Sequence, residues 1–269
     1  MSNPIATAAA AFPLGPKSRR RLLPVALVWF FACLLYTMPA TLFVALLRTL
    51  APPLQLQNVS GSFWNGSAAQ AFWQNGTQTI ALGRVEWQLR PWTLLWLHPS
   101  AHIAANYGDQ FVDAHISVSP LGSVALAHTS AALPASLLST WAPIPARGQF
   151  ELKLDRAELS RTQVGALRGA LYWQQARWQW GAQWLALGDF RCQLTTPKSG
   201  QIHCDVQGQG ALAVNGAADV DLAARNWALQ AQVKPDPALP ANFRQSLQFM
   251  LSAEPNAQGV LAVKRNGHW

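Results

Sequence analysis

Charge is scarce in this chain of 269 residues, and acid above all: 12 Asp and Glu stand against 20 Lys and Arg. No acid occurs before Glu86, and none of the later ones falls at a spacing that suggests a carboxylate pair for hydrolysis. The six histidines (98, 102, 115, 128, 203 and 268) form no H-E-x-x-H or H-x-H, and the three cysteines form no C-x-x-C. Metal binding needs convergent ligands at defined spacing, and no such spacing is present. There is no G-x-S-x-G and no phosphate loop. Gly61-Ser62-Phe63-Trp64-Asn65-Gly66 is a poor phosphate cradle, because Phe63 and Trp64 stand where backbone must approach the ligand closely; it reads as a strand between two Gly turns. No Lys/Arg cluster follows Arg21, so the chain lacks a nucleic-acid footprint. These lacks argue against an enzyme, against a bound cofactor or metal, and against a nucleic-acid partner.

What the chain does have is one long apolar run. Leu22 to Leu47 is 26 residues without Asp, Glu, Lys, Arg or His. About 20 apolar residues suffice to cross a hydrocarbon core of ~30 Å, so the run is expected to be a transmembrane helix. Lys17, Arg19, Arg20 and Arg21 precede it and only Arg48 follows closely, which sets the topology: N-terminus cytoplasmic, the rest across the membrane. A cleaved signal peptide is the alternative, but its apolar core spans only ~7–15 residues and ends in a small-x-small site. Pro39 is expected to kink the helix, which serves as a tether; packing against neighbours through Pro39 and its small residues is the alternative. The resulting division is a short basic cytoplasmic tail over 1–21, a signal-anchor helix over 22–47, and an extracytoplasmic domain over 48–269. The overall net charge of +8 is partly this topology signal.

Beyond the anchor the chain is rich in Gln, Ala, Gly and Trp and alternates with period two. Val85, Trp87 and Leu89 oppose Arg84, Glu86, Gln88 and Arg90. The same alternation runs through 112–119, 149–155, 177–184 and 226–233. One buried and one wet face is the antiparallel signature. Gly148, Gly169, Gly188 and Gly210 each precede an x-apolar pair, as if strands were entered through Gly turns. Two short helices are expected, Ser130–Trp141 and Pro240–Ser252, the second with a stripe of Phe243, Leu247, Met250 and Leu251. The fold class is therefore mainly β: an N-terminal transmembrane helix, then a curved antiparallel sheet or a sandwich with two short helices. A partly open apolar groove beside the Trp-rich strands, able to accept a lipid tail or a partner strand, is an alternative to a closed core.

Cys192 and Cys204 flank the turn Thr196–Gly200. A hairpin centred on Lys198 places them opposite each other on the apolar face, and in an oxidising compartment a structural disulfide is expected; two packed thiols are the alternative. A hairpin turning near Gly108 brings His102 and His115 together with Asp113 nearby, which reads as solvated hairpin residues. Asn58, Asn65 and Asn75 each begin a glycosylation sequon, but Asn-Gly is equally a tight-turn dipeptide.

Two segments carry a resemblance: Val59-Ser60-Gly61-Ser62-Phe63-Trp64-Asn65-Gly66-Ser67-Ala68 and Val85-Glu86-Trp87-Gln88-Leu89-Arg90-Pro91-Trp92-Thr93-Leu94-Leu95. With the basic tail and anchor before them, and Gln232-Val233-Lys234-Pro235, a helix and a last strand after them, the chain resembles the protein N family of the bacterial type II secretion system. The motif residues are Val59, Gly61, Trp64, Gly66, Trp87, Pro91 and Trp92. Related strand patterns occur in AsmA-like envelope proteins. The resemblance implies a single-pass inner-membrane accessory or scaffold subunit with a periplasmic β-domain. Its expected partners are other secretion subunits, the inner-membrane platform or the secretin, in the export of folded proteins across the outer membrane. The AsmA-like alternative is an envelope protein whose groove binds or transfers lipid. The family has no catalytic residues to carry over.

Overall fold

The computed structural model describes residues 27, 29–30, 33–34, 36–75, 78–95, 98–120, 122–140, 145–160 and 163–269. The expected tail with Lys17, Arg19, Arg20 and Arg21, and about half of the expected helix before Pro39, lie outside the described residues. Among the described residues no helix is long and apolar enough to cross a membrane. The apolar run divides at Thr37–Pro39. The Thr37 N–H donates to the Cys33 carbonyl at 2.9 Å, Pro39 forms an isolated bridge with Ser62, and a new helix, α1, runs over Ala40–Leu50. Proline lacks an amide hydrogen and pushes its predecessor, Met38, away from helical geometry, so a boundary falls here rather than a mere kink.

The rest is one sheet of thirteen strands in sequence order. They are β1 (Leu54–Gly61), β2 (Asn65–Asn75), β3 (Gln78–Leu89), β4 (Ser100–Tyr107), β5 (Gln110–Val118), β6 (Val124–Pro134) and β7 (Ala146–Leu159). Then follow β8 (Val164–Trp180), β9 (Gln183–Thr195), β10 (Gln201–Gln209), β11 (Leu212–Asp221), β12 (Asn226–Pro235) and β13 (Leu261–His268). Each strand pairs antiparallel with the next, and β1 and β13 are the edges. Helix α2 (Pro91–Leu95) follows β3, and α3 (Ala241–Leu251) lies in the β12–β13 connection.

Register sorts the faces. Directly paired residues share a face, and one row crosses all strands: Val59, Ala68, Val85, Ala105, Val112, Ala131, Leu152, Leu171, Cys192, Val206, Gly216, Ala231 and Val263. The adjacent row, on the opposite face, is Ser60, Ser67, Glu86, Ala104, Asp113, Ser130, Lys153, Ala170, Gln193, Asp205, Ala217, Gln230 and Lys264. A one-residue slip at any strand would bring its polar set onto the apolar face, which is what holds the register. Bulges keep the strands from running straight. Asn58, His128 and Gln175 have φ of 52°, 46° and 49°, and pairing shifts occur between β2 and β3, β5 and β6, β7 and β8, and β8 and β9. Each extra residue bends its strand and increases local twist, so the sheet curves.

Two helices cover the apolar face in different places. Around α1, Ala40, Val44, Leu56, Ala68, Ala71 and Trp87 form one buried cluster, with Phe43 and Leu47 packed against it. In place of a free tether, the end of the apolar run thus belongs to the packed domain. Around α3, Leu239 and Phe243 bury against Ala176, Leu185 and Leu187, with Trp173, Trp178 and Trp180 around them.

Several expectations are corrected. A sandwich is not formed among the described residues, since all strands share one sheet. Ser130–Pro134 continues β6, where Ala131 and Leu133 pair with Leu152 and Phe150; only Ala135–Thr140 is helical, as a 3-10 turn. The small residues there alternate faces against β7, and that pairing outweighs their helical propensity. The alternation over 177–184 is not one strand, because Gly181 (φ 59°) and Ala182 turn the chain and Trp180 pairs with Gln183. Trp184 consequently lies on the polar face, with the Arg147 guanidinium 4.1 Å from its ring centre. Gly61–Gly66 is a hairpin turn rather than a strand, with Gly61 paired to Gly66. Of the four Gly-x-apolar openings only Gly210 lies at a turn; Gly148, Gly169 and Gly188 sit inside strands.

Candidate functional site: a locked helix, an open apolar strip and a histidine pair

The motif residues of the first hairpin converge on Trp87. This side chain, 1% exposed, stacks on Phe43 of α1 at 4.7 Å between ring centres, and its indole N–H donates to the Phe63 carbonyl at 3.2 Å. Phe63 meets Phe43 edge-on at 5.6 Å, and its amide donates to the Met38 carbonyl at 2.8 Å. Gly66 is the partner of Trp87 in the ladder, and a Cβ built there would lie 2.5 Å from Trp87 Cζ2. The glycine is thus required for the indole to lie flat across β2. Val59 packs against the same cluster, and the Leu89 amide donates to the Trp64 carbonyl at 2.6 Å, closing β3 over the turn. The arrangement clamps the β1–β2 turn and α1 to the sheet through one aromatic stack. Pro91 and Trp92 lie apart from it, on α2; Pro91 starts the helix and Trp92 is 75% exposed.

Between the two covered ends much of the apolar face stays half-buried, although Ala114, Thr129, Leu154 and Ala157 are buried. Ile103, Val112, Ile116, Leu126, Ala131, Leu152 and Leu171 are neither sealed nor fully exposed. Thr129, opposite Leu154 and buried, puts a polar side chain on this face, and Gln110 lies at its end; most of the rest of the strip offers only apolar contact.

Cys192 and Cys204 are joined by a disulfide. They are not directly opposed: Cys192 pairs with Val206 and Cys204 with Leu194, so the hairpin centres on Ser199 rather than Lys198. The bond spans a diagonal with Cα atoms 5.7 Å apart, which the twist of the sheet brings within bridging reach.

The polar face holds two histidine clusters. His102 and His115 are ladder partners with ring centres 4.3 Å apart, and Asp113 lies on the same face two residues before His115. His102 Nε2 is 3.0 Å from Asp113 Oδ2, and His115 Nδ1 is 3.9 Å from Asp113 Oδ1. One potential metal-ligating atom from each of the three lies within 4.8 Å of the others, the one such group among the described residues. Beside it, Trp64, Gln88, Arg90 and Trp92 line an open recess of about 520 Å³. Farther along, His203 lies between Asp219 (2.6 Å) and Asp205 (3.2 Å), and these hydrogen bonds, Asp219 first, raise its pKa above the ordinary histidine value. Asp221 is held below the usual carboxylate range, chiefly by the Ala224 amide, then by Gln201 and Ala223.

The chain matches the family described as type II secretion system (T2SS), protein N, over residues 52–264. It belongs to that family. A type II secretion system protein N from Aeromonas hydrophila is 28% identical over 248 residues, covering 90% of this chain and 95% of that one. Another, from Vibrio cholerae serotype O1, is 26% identical over 229 residues, covering 80% and 84%. No solved structure matches. The matched span runs from the start of the sheet into β13 and contains all seven motif residues; α1, with Phe43, lies before it.

Sequence reasoning did not find Phe43 as the partner of Trp87, because it took the residues of α1 as the end of one uninterrupted apolar run. It did place His102, Asp113 and His115 on one hairpin, but without the ladder register it assigned them no joint role.

Proposed function

We propose that the chain is an accessory or scaffold subunit of the type II secretion system, anchored in the bacterial inner membrane. The N-terminus is cytoplasmic, the segment before Pro39 crosses the bilayer once, and the sheet lies in the periplasm. It works without catalysis, by holding other secretion subunits of the inner-membrane platform, or the secretin, as folded proteins pass from the periplasm across the outer membrane. The observation that carries this reading is the family match over nearly the whole sheet. Two features of the molecule support the anchoring. Leu27, Trp29, Leu34 and Tyr36, all before Pro39, are strongly exposed apolar or aromatic residues, as expected of groups that face lipid. The basic residues Lys17, Arg19, Arg20 and Arg21 precede them.

In native membranes solubilised with mild detergent after crosslinking, the chain is expected to co-purify with other secretion subunits. Recovery of the chain alone would overturn the scaffold reading. The topology is tested separately, by protease added outside spheroplasts, which should cut the exposed segment 254–258 and not the N-terminal tail.

A second reading, favoured by the half-buried strip between α1 and α3, is that the apolar face holds a lipid acyl chain. Co-purified phospholipid or lipopolysaccharide in native mass spectra would support it. A lipid-free chain from mild extraction would dismiss it.

A further inference from the structure

We propose that His102, Asp113 and His115 form a binding site for one divalent transition-metal ion, of the zinc class, on the polar face of the sheet. The first argument is register. His102 and His115 are direct partners across the β4–β5 hairpin, so the backbone itself fixes their spacing. The same ladder continues to Gln88 on one side and Ala127 on the other, so the pair sits within four bonded strands rather than at a free tip. Asp113 shares their face and already reaches both rings, at 3.0 and 3.9 Å.

Geometry is the second. Bonds of ~2.0–2.1 Å at tetrahedral angles put neighbouring ligand atoms ~3.3–3.5 Å apart. The three donors here all lie within 4.8 Å of one another, so small side-chain rotations bring them to that spacing. The rings of His102 and His115 pack on each other, but the side chains of His102, Asp113 and His115 are 30%, 42% and 48% exposed, which leaves room to turn and gives an ion a way in. Two imidazoles and a carboxylate suit zinc, cobalt or nickel and do not suit calcium or magnesium, which prefer all-oxygen sites. Three protein donors leave one position for water or a fourth ligand, next to the recess lined by Trp64, Gln88 and Trp92.

The other histidine cluster provides the contrast. His203 lies between Asp205 and Asp219, each bound to a different ring nitrogen, so the three groups point to two places and cannot share one ion. It serves as the internal control.

The test uses the full chain in detergent micelles, with a tag free of histidine, stripped with chelator and titrated with Co²⁺ alone. One equivalent is expected to bind with a visible d–d band, and Zn²⁺ should displace it. H102Q and H115Q should each weaken Co²⁺ binding by at least the ~10–100-fold lost when a supporting group is removed. H203Q should leave it unchanged. Zn²⁺ should also raise the Tm of the native chain and fail to raise that of the H102Q/H115Q double variant, whose circular dichroism reports whether it has folded. Absence of saturable binding to the native chain would overturn the proposal. So would binding that survives H102Q and H115Q, or that is lost equally in H203Q.

Discussion

The two covered parts of the apolar face solve one problem with different parts of the chain. At β1–β3 the cover is α1, the end of the apolar run, and its key contact is face to face, Phe43 on Trp87 at 4.7 Å. At β8–β12 the cover is α3, carried within a hairpin connection, and its key contact is edge-on, Phe243 to Trp180 at 5.3 Å. The first is tied in at several points: an indole hydrogen bond, a glycine that admits the ring, and backbone bonds from Phe63 to Met38 and from Leu89 to Trp64. The second is tied at fewer points: Phe243 and Leu239 are buried and Arg265 of β13 donates to the Met250 carbonyl and Ser252 Oγ, while the side chains of Phe249 and Met250 are exposed. A lid needs only burial. A joint that holds a helix in one position on a sheet needs fixed geometry, and five of the seven motif residues lie there.

Breaking the two covers separately sharpens that contrast. Trp87→Ala should cost the most, ~3–5 kcal/mol in chemical unfolding, because it removes the largest fully buried side chain and frees α1. Phe243→Ala should lie at or below the lower end, ~3 kcal/mol, and leave protease resistance at Ala51–Pro53 intact, whereas W87A should abolish it. Replacing both Cys192 and Cys204 by Ser should cost about 2–3 kcal/mol by releasing a short loop, without loosening α1; urea midpoints with and without reductant check this. Gly66→Ala should cost ~1–3 kcal/mol by pushing the Trp87 ring off β2, and a shift in tryptophan fluorescence should accompany it.

The smallest effect is that of pH. A raised His203 pKa means the folded chain holds that proton more tightly than the unfolded chain. Its contribution is therefore fully present below pH ~6.5 and is lost as pH rises through the raised value. Unfolding midpoints should show this slope in the native chain and lose it in H203A. Asp221 works in the opposite sense, its contribution being lost only as pH falls through a value below the usual carboxylate range.

Much of the sheet was legible in the sequence because alternation is a local signal. The periods over 84–90, 112–119, 149–155 and 226–233 fall in β3, β5, β7 and β12, each with the expected apolar residues on the sheet's apolar face. Helix α3 lies within one residue of its expected limits, though Met250 of its stripe faces out. What failed depended on register or on context. A two-residue turn preserves alternation, so β8 and β9 read as one strand through Gly181. The Cys192–Cys204 hairpin shifts its centre by one residue, and direct opposition becomes a diagonal. The docking of α1 was hidden because an apolar run of this length serves a bilayer and a protein core equally well. Its partner, Trp87, was visible as a motif residue, but what it packs against was not.

The central claim is that α1 is fixed to the sheet, so that this helix and the β-domain move as one. Spin labels at Arg48→Cys and Gln70→Cys, both exposed sites on α1 and β2, in a Cys33→Ser background in lipid nanodiscs, test it by pulsed electron resonance. A single narrow distance distribution is expected, broadening when Trp87→Ala is added. A broad distribution already present in the native chain would contradict the account.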